Sequence, residues 1–260
     1  VRIATWNVNS IGARLPRVLE WLEVAQPDVL AVQELKCAEA AVPVDEFTAL
    51  GYEIAALGDG RWNGVALLSR VGLEDVTRNL PGQPEFEDSI EPRAIGATCG
   101  GIRVWSIYVP NGREVDHAHY AYKLQWYDAL RDMAVAEMAA NPDQAFTIIG
   151  DYNIAPTDAD VWDISAFDNS THVTEPERAK LRDLEAIGLI EVIPRALKGE
   201  PYTFWDYRDL AFQKAKGMRI DLIYGNARLT DCVTGAYVDR EARKGKGSSD
   251  HAPVIMEINS

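Results

Sequence analysis

The chain has 260 residues, 47% of them hydrophobic, and a formal net charge of −14. That length fits one domain, 1–260, with a sizeable core. No apolar run nears the roughly 20 residues a membrane helix needs, and three scattered cysteines, Cys37, Cys99 and Cys232, argue against a disulfide framework or a structural zinc site and suit a reducing cytoplasm. The acidic balance opposes nonspecific attraction to a polyanion, unless a local patch or a bound cation inverts the sign at the contact face.

In chain order, Arg2–Trp6 reads as a strand at the very start, with no charged-then-apolar leader before it. Arg14–Ala25 reads as a helix, because Leu15, Val18, Leu19 and Leu22 recur at helical spacing and Pro16 suits a first turn. Asp28–Val32, Val65–Leu68 and Val104–Val109 are apolar, β-branched or aromatic runs of strand character. Tyr120–Met138 is a long amphipathic helix. Phe146–Ile149 is a buried strand. Thr174-x-x-Glu177 is a capping box that opens another helix, and Gly188 closes it. Ile220–Tyr224 and Val254–Ile258 are late strands. Two stretches, Pro81–Pro92 and Asp158–Val173, are long for connections and are therefore candidates for function.

Polar residues collect where these strands stop. Asn7 follows Ile3–Trp6, and Glu34 follows Val29–Val32. Asp151 and Asn153 follow Phe146–Ile149, Asp221 sits inside Arg219–Ile223, and Asp250 and His251 precede the last strand. Positions two apart on a strand share a face, so Asp151 and Asn153 can converge on one point. They can also make an ordinary turn. Asn7 can cap a turn, and Glu34 can pair with nearby Lys36. An acid within an apolar strand, as at Asp221, is costly unless paired or ligating. His117, His119 and His172 read as satisfied histidines. If the strands share sheets, their ends pool oxygen ligands of the kind that hold Mg²⁺.

Seven blocks in order resemble the exonuclease III family of apurinic/apyrimidinic endonucleases, bacterial branch, across Arg2 to Ile258. They are Ala4–Ser10 with Arg14-Leu15, Val32–Lys36, Trp62–Ala66, Tyr108–Gly112, Gly150–Pro156, Arg219–Asp221 and Ser249–Pro253. The resemblance implies an α/β fold, a four-layer sandwich of two mostly antiparallel β-sheets flanked by helices. It implies Mg²⁺-dependent cleavage of duplex DNA 5′ to abasic sites, with Mn²⁺ as a substitute, and 3′-5′ exonuclease and 3′-phosphatase action on blocked 3′ ends. It implies a monomer in the cytoplasm, at the nucleoid of a bacterium, with no membrane partner. Glu34, Asn7 and Asp250 would serve the metal, and Asp151, Asn153, His251, Asp221 and Tyr108 the catalysis. Asn111 and Lys123 would serve phosphate binding, with Lys123 supporting Tyr108. Phe204, Met218 and Ile220 would wall the abasic pocket. Apart from the resemblance, basic residues cluster beside the site in sequence, Arg219 before Asp221 and Lys244 and Lys246 before Ser249; they read as phosphate contacts or as a solvated charged loop. Whether Asp151 or His251 is the base stays open. Two residues depart from the family pattern: Leu35 stands where threonine is usual, and Gly12 where arginine is common. Rival readings are a phosphoesterase of the same superfamily acting on RNA or a small phosphate, and a non-catalytic DNA-binding relative.

Overall fold

The apolar runs become the central strands of two sheets. In the computed structural model, which describes residues 1–259, the elements run β1 (Arg2–Asn7), α1 (Ile11–Ala25), β2 (Val29–Gln33), α2 (Val44–Ala49), β3 (Glu53–Leu57), β4 (Val65–Ser69), β5 (Glu74–Arg78), β6 (Ala94–Cys99), β7 (Ile102–Tyr108), α3 (Ala118–Ala140), β8 (Phe146–Asp151), α4 (Glu175–Ala186), β9 (Ile190–Glu191), β10 (Arg195–Ala196), β11 (Asp221–Gly225), α5 (Ala227–Thr230), β12 (Val233–Val238) and β13 (Val254–Ile258). One sheet has the order β10-β12-β13-β1-β2-β4-β3, and the other β5-β6-β7-β8-β11-β9. Pairing is parallel for β1/β2, β10/β12 and β7/β8 and antiparallel elsewhere.

The two sheets bury their inner faces against each other. Ile3, Val29, Leu67 and Met256 of the first meet Ile95, Val104, Ile149 and Ile223 of the second. On the outside, Val18 and Leu22 of α1 and Phe47 of α2 pack with Leu30 and Val32. Trp126, Leu130 and Met133 of α3 pack with Trp105, Ile107 and Ile148. The result is the four-layer α/β sandwich, helix on sheet on sheet on helix. Each fully buried side chain of this kind contributes about 1.5–3 kcal/mol over leaving it in water.

Three differences from the sequence-based expectation have physical causes. First, α1 starts at Ile11, three residues early, because Ser10 caps it by accepting from the Ala13 N–H at 3.2 Å. Pro16 therefore lies inside the helix, where it costs one backbone bond. Second, β3, β6 and β12 are rich in Ala and Gly, weak strand formers, and pairing rather than propensity makes them strands. Gly96 in β6 is required by packing: a Cβ there would lie 2.4 Å from the ring of Trp105. Third, β5, β9 and β10 are short edge elements with little apolar character. Among the described residues no helix is long and apolar enough to cross a membrane.

Candidate active site

Sheet register assembles the site. Asp151 is the cross-strand partner of Tyr108 on one side and of Asp221 on the other. These three polar side chains share one end of the second sheet. On the facing sheet, β1 ends at Asn7, β2 leads into Glu34, and His251 precedes β13. Local backbone aims the groups. Gly150 has φ 152°, and a Cβ there would fall 2.0 Å from the Ile107 carbonyl oxygen, so only glycine fits before Asp151. Glu34, Asn153 and His172 adopt left-handed conformations, with φ of 55°, 50° and 80°. Such conformations in non-glycine residues cost about 1–3 kcal/mol each and persist where the surroundings hold them.

Glu34, Asp151 and His251 each offer one ligand atom, and these atoms lie within 4.8 Å of one another. Asn7 Nδ2 donates to Glu34 Oε1 at 2.8 Å and to Asp151 Oδ2 at 2.9 Å, drawing the two carboxylates together. Asn7 Oδ1 accepts from the Asn9 N–H. Asn7 thus bridges the carboxylates through its amide nitrogen, beside the two carboxylates expected to hold a metal. His251 Nδ1 faces Asp221 Oδ2 at 2.8 Å, leaving Nε2 turned toward Asp151 Oδ2 at 3.7 Å. The second Asp221 oxygen is buried without a partner. Lys36 Nζ sits 2.8 Å from Glu34 Oε2, so Glu34 both pairs with lysine and joins the cluster.

Burial shifts these groups in opposed directions. It raises the Asp151 carboxyl to about 7, aided by Asp221 and Glu34 and opposed by His251 and the Asn7 amide. Burial alone would lower His251, but the Asp221 and Asp151 carboxylates prevail and raise it to about 10. For Glu34, burial acts upward, and Lys36 and the Asn7 amide outweigh it and hold the carboxyl low. The Tyr108 phenol is held well above its usual range by burial and by Glu34, so it stays a donor.

Beside the cluster opens a cavity of about 530 Å³. Its lining includes the polar Tyr108, Asn111, Asn153 and His172 and the apolar Phe204, Met218 and Ile220. The Phe204 ring packs 4.9 Å from the His251 ring. Met218, Ile220 and Val161 form a small apolar cluster with Phe204 against it. Asn153 Oδ1 lies 3.1 Å from His172 Nε2 and 3.3 Å from Asn111 Nδ2, and its Nδ2 donates to the Val109 carbonyl. Both long connections reach this end: Ala166, Phe167 and Asn169 to His172 line this cavity, and Phe86, Glu87, Ser89 and Glu91 line an adjoining one that shares Tyr108, Asn111 and Arg113.

Several expected residues stand elsewhere. Lys123 is fully buried and paired with Glu177, with its donors on backbone carbonyls, so it is no phosphate contact. Arg219 is 3% exposed and held by Asp160 and Glu191, so it too faces no DNA. Asp250 lines the cavity but lies outside the three-residue cluster, its Oδ1 accepting from Asn9 Nδ2 at 3.1 Å. Lys244 and Lys246 are exposed and do not line the cavity, and Lys244 pairs with Glu241. Three residues without an expected role also stand at this end: His172 against Asn153 and Asn111, Asn9 against Asp250, and Arg113 on the cavity wall. Their one signal is position: His172 lies in a long loop, Asn9 two residues from Asn7, and Arg113 two residues from Asn111.

The donor set suits a hard divalent cation. Two carboxylates, Glu34 and Asp151, converge with room at the cavity, and no thiolate is near.

Comparison with known proteins agrees with this geometry. The model of the Endonuclease/Exonuclease/phosphatase family matches residues 4–251. Exodeoxyribonuclease III of Haemophilus influenzae is 27% identical over 272 residues, covering 99% of this chain and 100% of that one. Among solved structures, the Neisseria 3′ phosphatase NExo bound to a product DNA hairpin superposes with a TM-score of 0.93 at 35% identity, covering 100% of this chain and 99% of that one. An AP endonuclease from Archaeoglobus fulgidus gives 0.91 at 32% identity, with 100% of each chain covered.

Proposed function

From the premise that the chain belongs to the endonuclease/exonuclease/phosphatase family, as a DNA repair hydrolase of the exonuclease III type, we propose that it cuts duplex DNA 5′ to abasic sites in a Mg²⁺-dependent reaction. The same site would trim 3′ ends, removing nucleotides or a terminal phosphate. The observation that carries this reading is the meeting of Glu34, Asp151 and His251, backed by Asp221, at the mouth of a partly apolar cavity.

The side chains divide the work. Asp151 Oδ2, with its raised carboxyl, takes the proton of the attacking water. His251, held protonated by Asp221, presents Nε2–H to a non-bridging phosphate oxygen. Tyr108 and Asn111, which line the same cavity, donate to the phosphate. A Mg²⁺ held by Glu34 with Asp151 beside it would supply Lewis-acid polarisation of the phosphate and stabilise the leaving 3′ oxygen. Phe204, Met218 and Ile220 form the apolar wall that takes a sugar without a base. An abasic nucleotide has no base to unstack, so its extrusion costs less than that of an intact one.

Synthetic duplexes bearing an abasic site, a 3′-phosphate or no lesion, each with Mg²⁺ or with chelator, test the reading. The expected result is an incision 5′ to the abasic site that leaves a 3′-hydroxyl and a 5′-deoxyribose phosphate, lost on chelation. Equal cutting of intact and abasic strands would refute it. Removal of the 3′-phosphate without abasic incision would leave only the 3′-end reading.

A further inference from the structure

Beneath the phosphate-facing wall lies an ion pair shut off from water. Lys123 and Glu177 are both 0% exposed and 2.6 Å apart. An ammonium has three donors, and all three are placed: on Glu177 Oε1, on the Asn153 carbonyl at 2.6 Å and on the Asn111 carbonyl at 3.1 Å. The Glu177 oxygen that meets Lys123 also accepts the His172 backbone N–H at 3.0 Å. Its other oxygen accepts the N–H and hydroxyl of Thr174 at the start of α4. One buried pair therefore ties the main chain of three residues far apart in sequence. Their side chains, Asn111, Asn153 and His172, meet at Asn153 Oδ1 on the cavity wall.

Two of those residues, Asn153 and His172, have left-handed backbone that must be held from outside. Fold stability alone does not call for this solution, because apolar side chains of similar size often replace a buried ion pair at no loss. An apolar pair, however, could not satisfy two carbonyls and two N–H groups at once. Resting on the nuclease reading above, we propose that Lys123 and Glu177 are a positioning pair for the reaction, holding Asn153 and with it Asn111 and His172 in register with the phosphate.

The test is the Lys123→Met/Glu177→Gln variant, which removes both charges together, measured in the full chain. We expect a lowered thermal midpoint, because two buried carbonyls lose their donor, with the chain still folded at the assay temperature and little change in DNA affinity. The single-turnover cleavage rate at saturating DNA should fall by about tenfold to a hundredfold, the scale of a small misplacement of reacting groups. Amide exchange should quicken at 111–113, 153–155 and 171–174 and not in the core strands. A rate within twofold of wild type, or unchanged local exchange, overturns the proposal. If the double variant does not fold, Glu177→Gln alone decides in the same way. A rate loss beyond its loss of folded fraction supports the pair, and a proportional loss overturns it. Absence of cleavage by the wild-type enzyme on abasic and 3′-phosphate duplexes would instead overturn the nuclease reading, leaving the exchange data to judge the pair.

Discussion

At the scale of single residues, the proposed catalysis rests on two shifted groups that share one neighbourhood. Asp151 is raised to about 7 and His251 to about 10. As pH rises through about 7, the Asp151–His251 pair loses the proton that keeps the base inactive, and the rate climbs. As pH passes about 10, the imidazole loses the proton it offers the phosphate, and the rate falls. The pH–rate profile should therefore be bell-shaped, with macroscopic values belonging to the pair. A cation bound beside Asp151 should move the acid limb lower, so higher Mg²⁺ should shift that limb and leave the alkaline one in place. An acid limb indifferent to Mg²⁺ would separate Asp151 from the metal. Asp151→Asn and His251→Ala should each slow cleavage by about 10²–10⁴, the range for one lost acid–base group, while gel-shift affinity for DNA stays close to wild type. Large loss of binding with little loss of rate would reverse the assignment. These residues were legible in the sequence because Asp151 ends an apolar run and His251 stands just before one. Lys123, expected from the resemblance, and Arg219, expected from its place before Asp221, offer no donor to a phosphate, because their buried partners, Glu177, Asp160 and Glu191, are distant in sequence.

At the scale of elements, the strand ends are set by register and by a few backbone positions. Gly150→Ala would drive a methyl into the Ile107 carbonyl, so it should lower unfolding free energy by more than about 1 kcal/mol. Urea denaturation measures this, and a midpoint equal to wild type would contradict the geometry. The loop after β7 has its own acid weakness. His119 Nδ1 accepts the Gly112 N–H at 3.0 Å, and burial, with Arg93, lowers this imidazole to about 4. A folded state that resists protonation is favoured fully above the unfolded value near 6.5. That advantage is lost as pH falls from about 6.5 to about 4. The urea midpoint should drop across that window, and His119→Gln, which can still accept the bond, should drop less. An equal drop in both would place the weakness elsewhere. The central strands and the α4 capping box could be read directly, because their apolar patterns and the Thr174/Glu177 spacing are local signals. Ala- and Gly-rich β3, β6 and β12 could not, since only their neighbours make them strands.

At the scale of the whole molecule, a chain of charge −14 must meet a polyanion through a limited face. Exposed Lys244 and Lys246 lie on the loop that leads into Ser249 and His251. If they touch phosphates, replacing both with alanine should flatten the log–log salt dependence of binding by about 0.9 for each phosphate no longer neutralised. An unchanged slope would leave them as a solvated loop, as their absence from the cavity wall allows. The mixed α/β character was legible from alternating strand and helix runs, and the two-sheet sandwich from the family resemblance. The pooling of Asn7, Glu34, Asp151 and His251 was legible only on the condition that their strands share sheets, because register, and no single segment, brings them together. That convergence is the central claim, and Mg²⁺ titration of single-turnover cleavage on an abasic duplex, wild type against Glu34→Gln, tests it most directly. The account predicts saturable activation in wild type and, in the variant, a rate reduced by orders of magnitude that recovers only in part at far higher Mg²⁺. Cleavage by Glu34→Gln at the wild-type rate with the same Mg²⁺ dependence would contradict it.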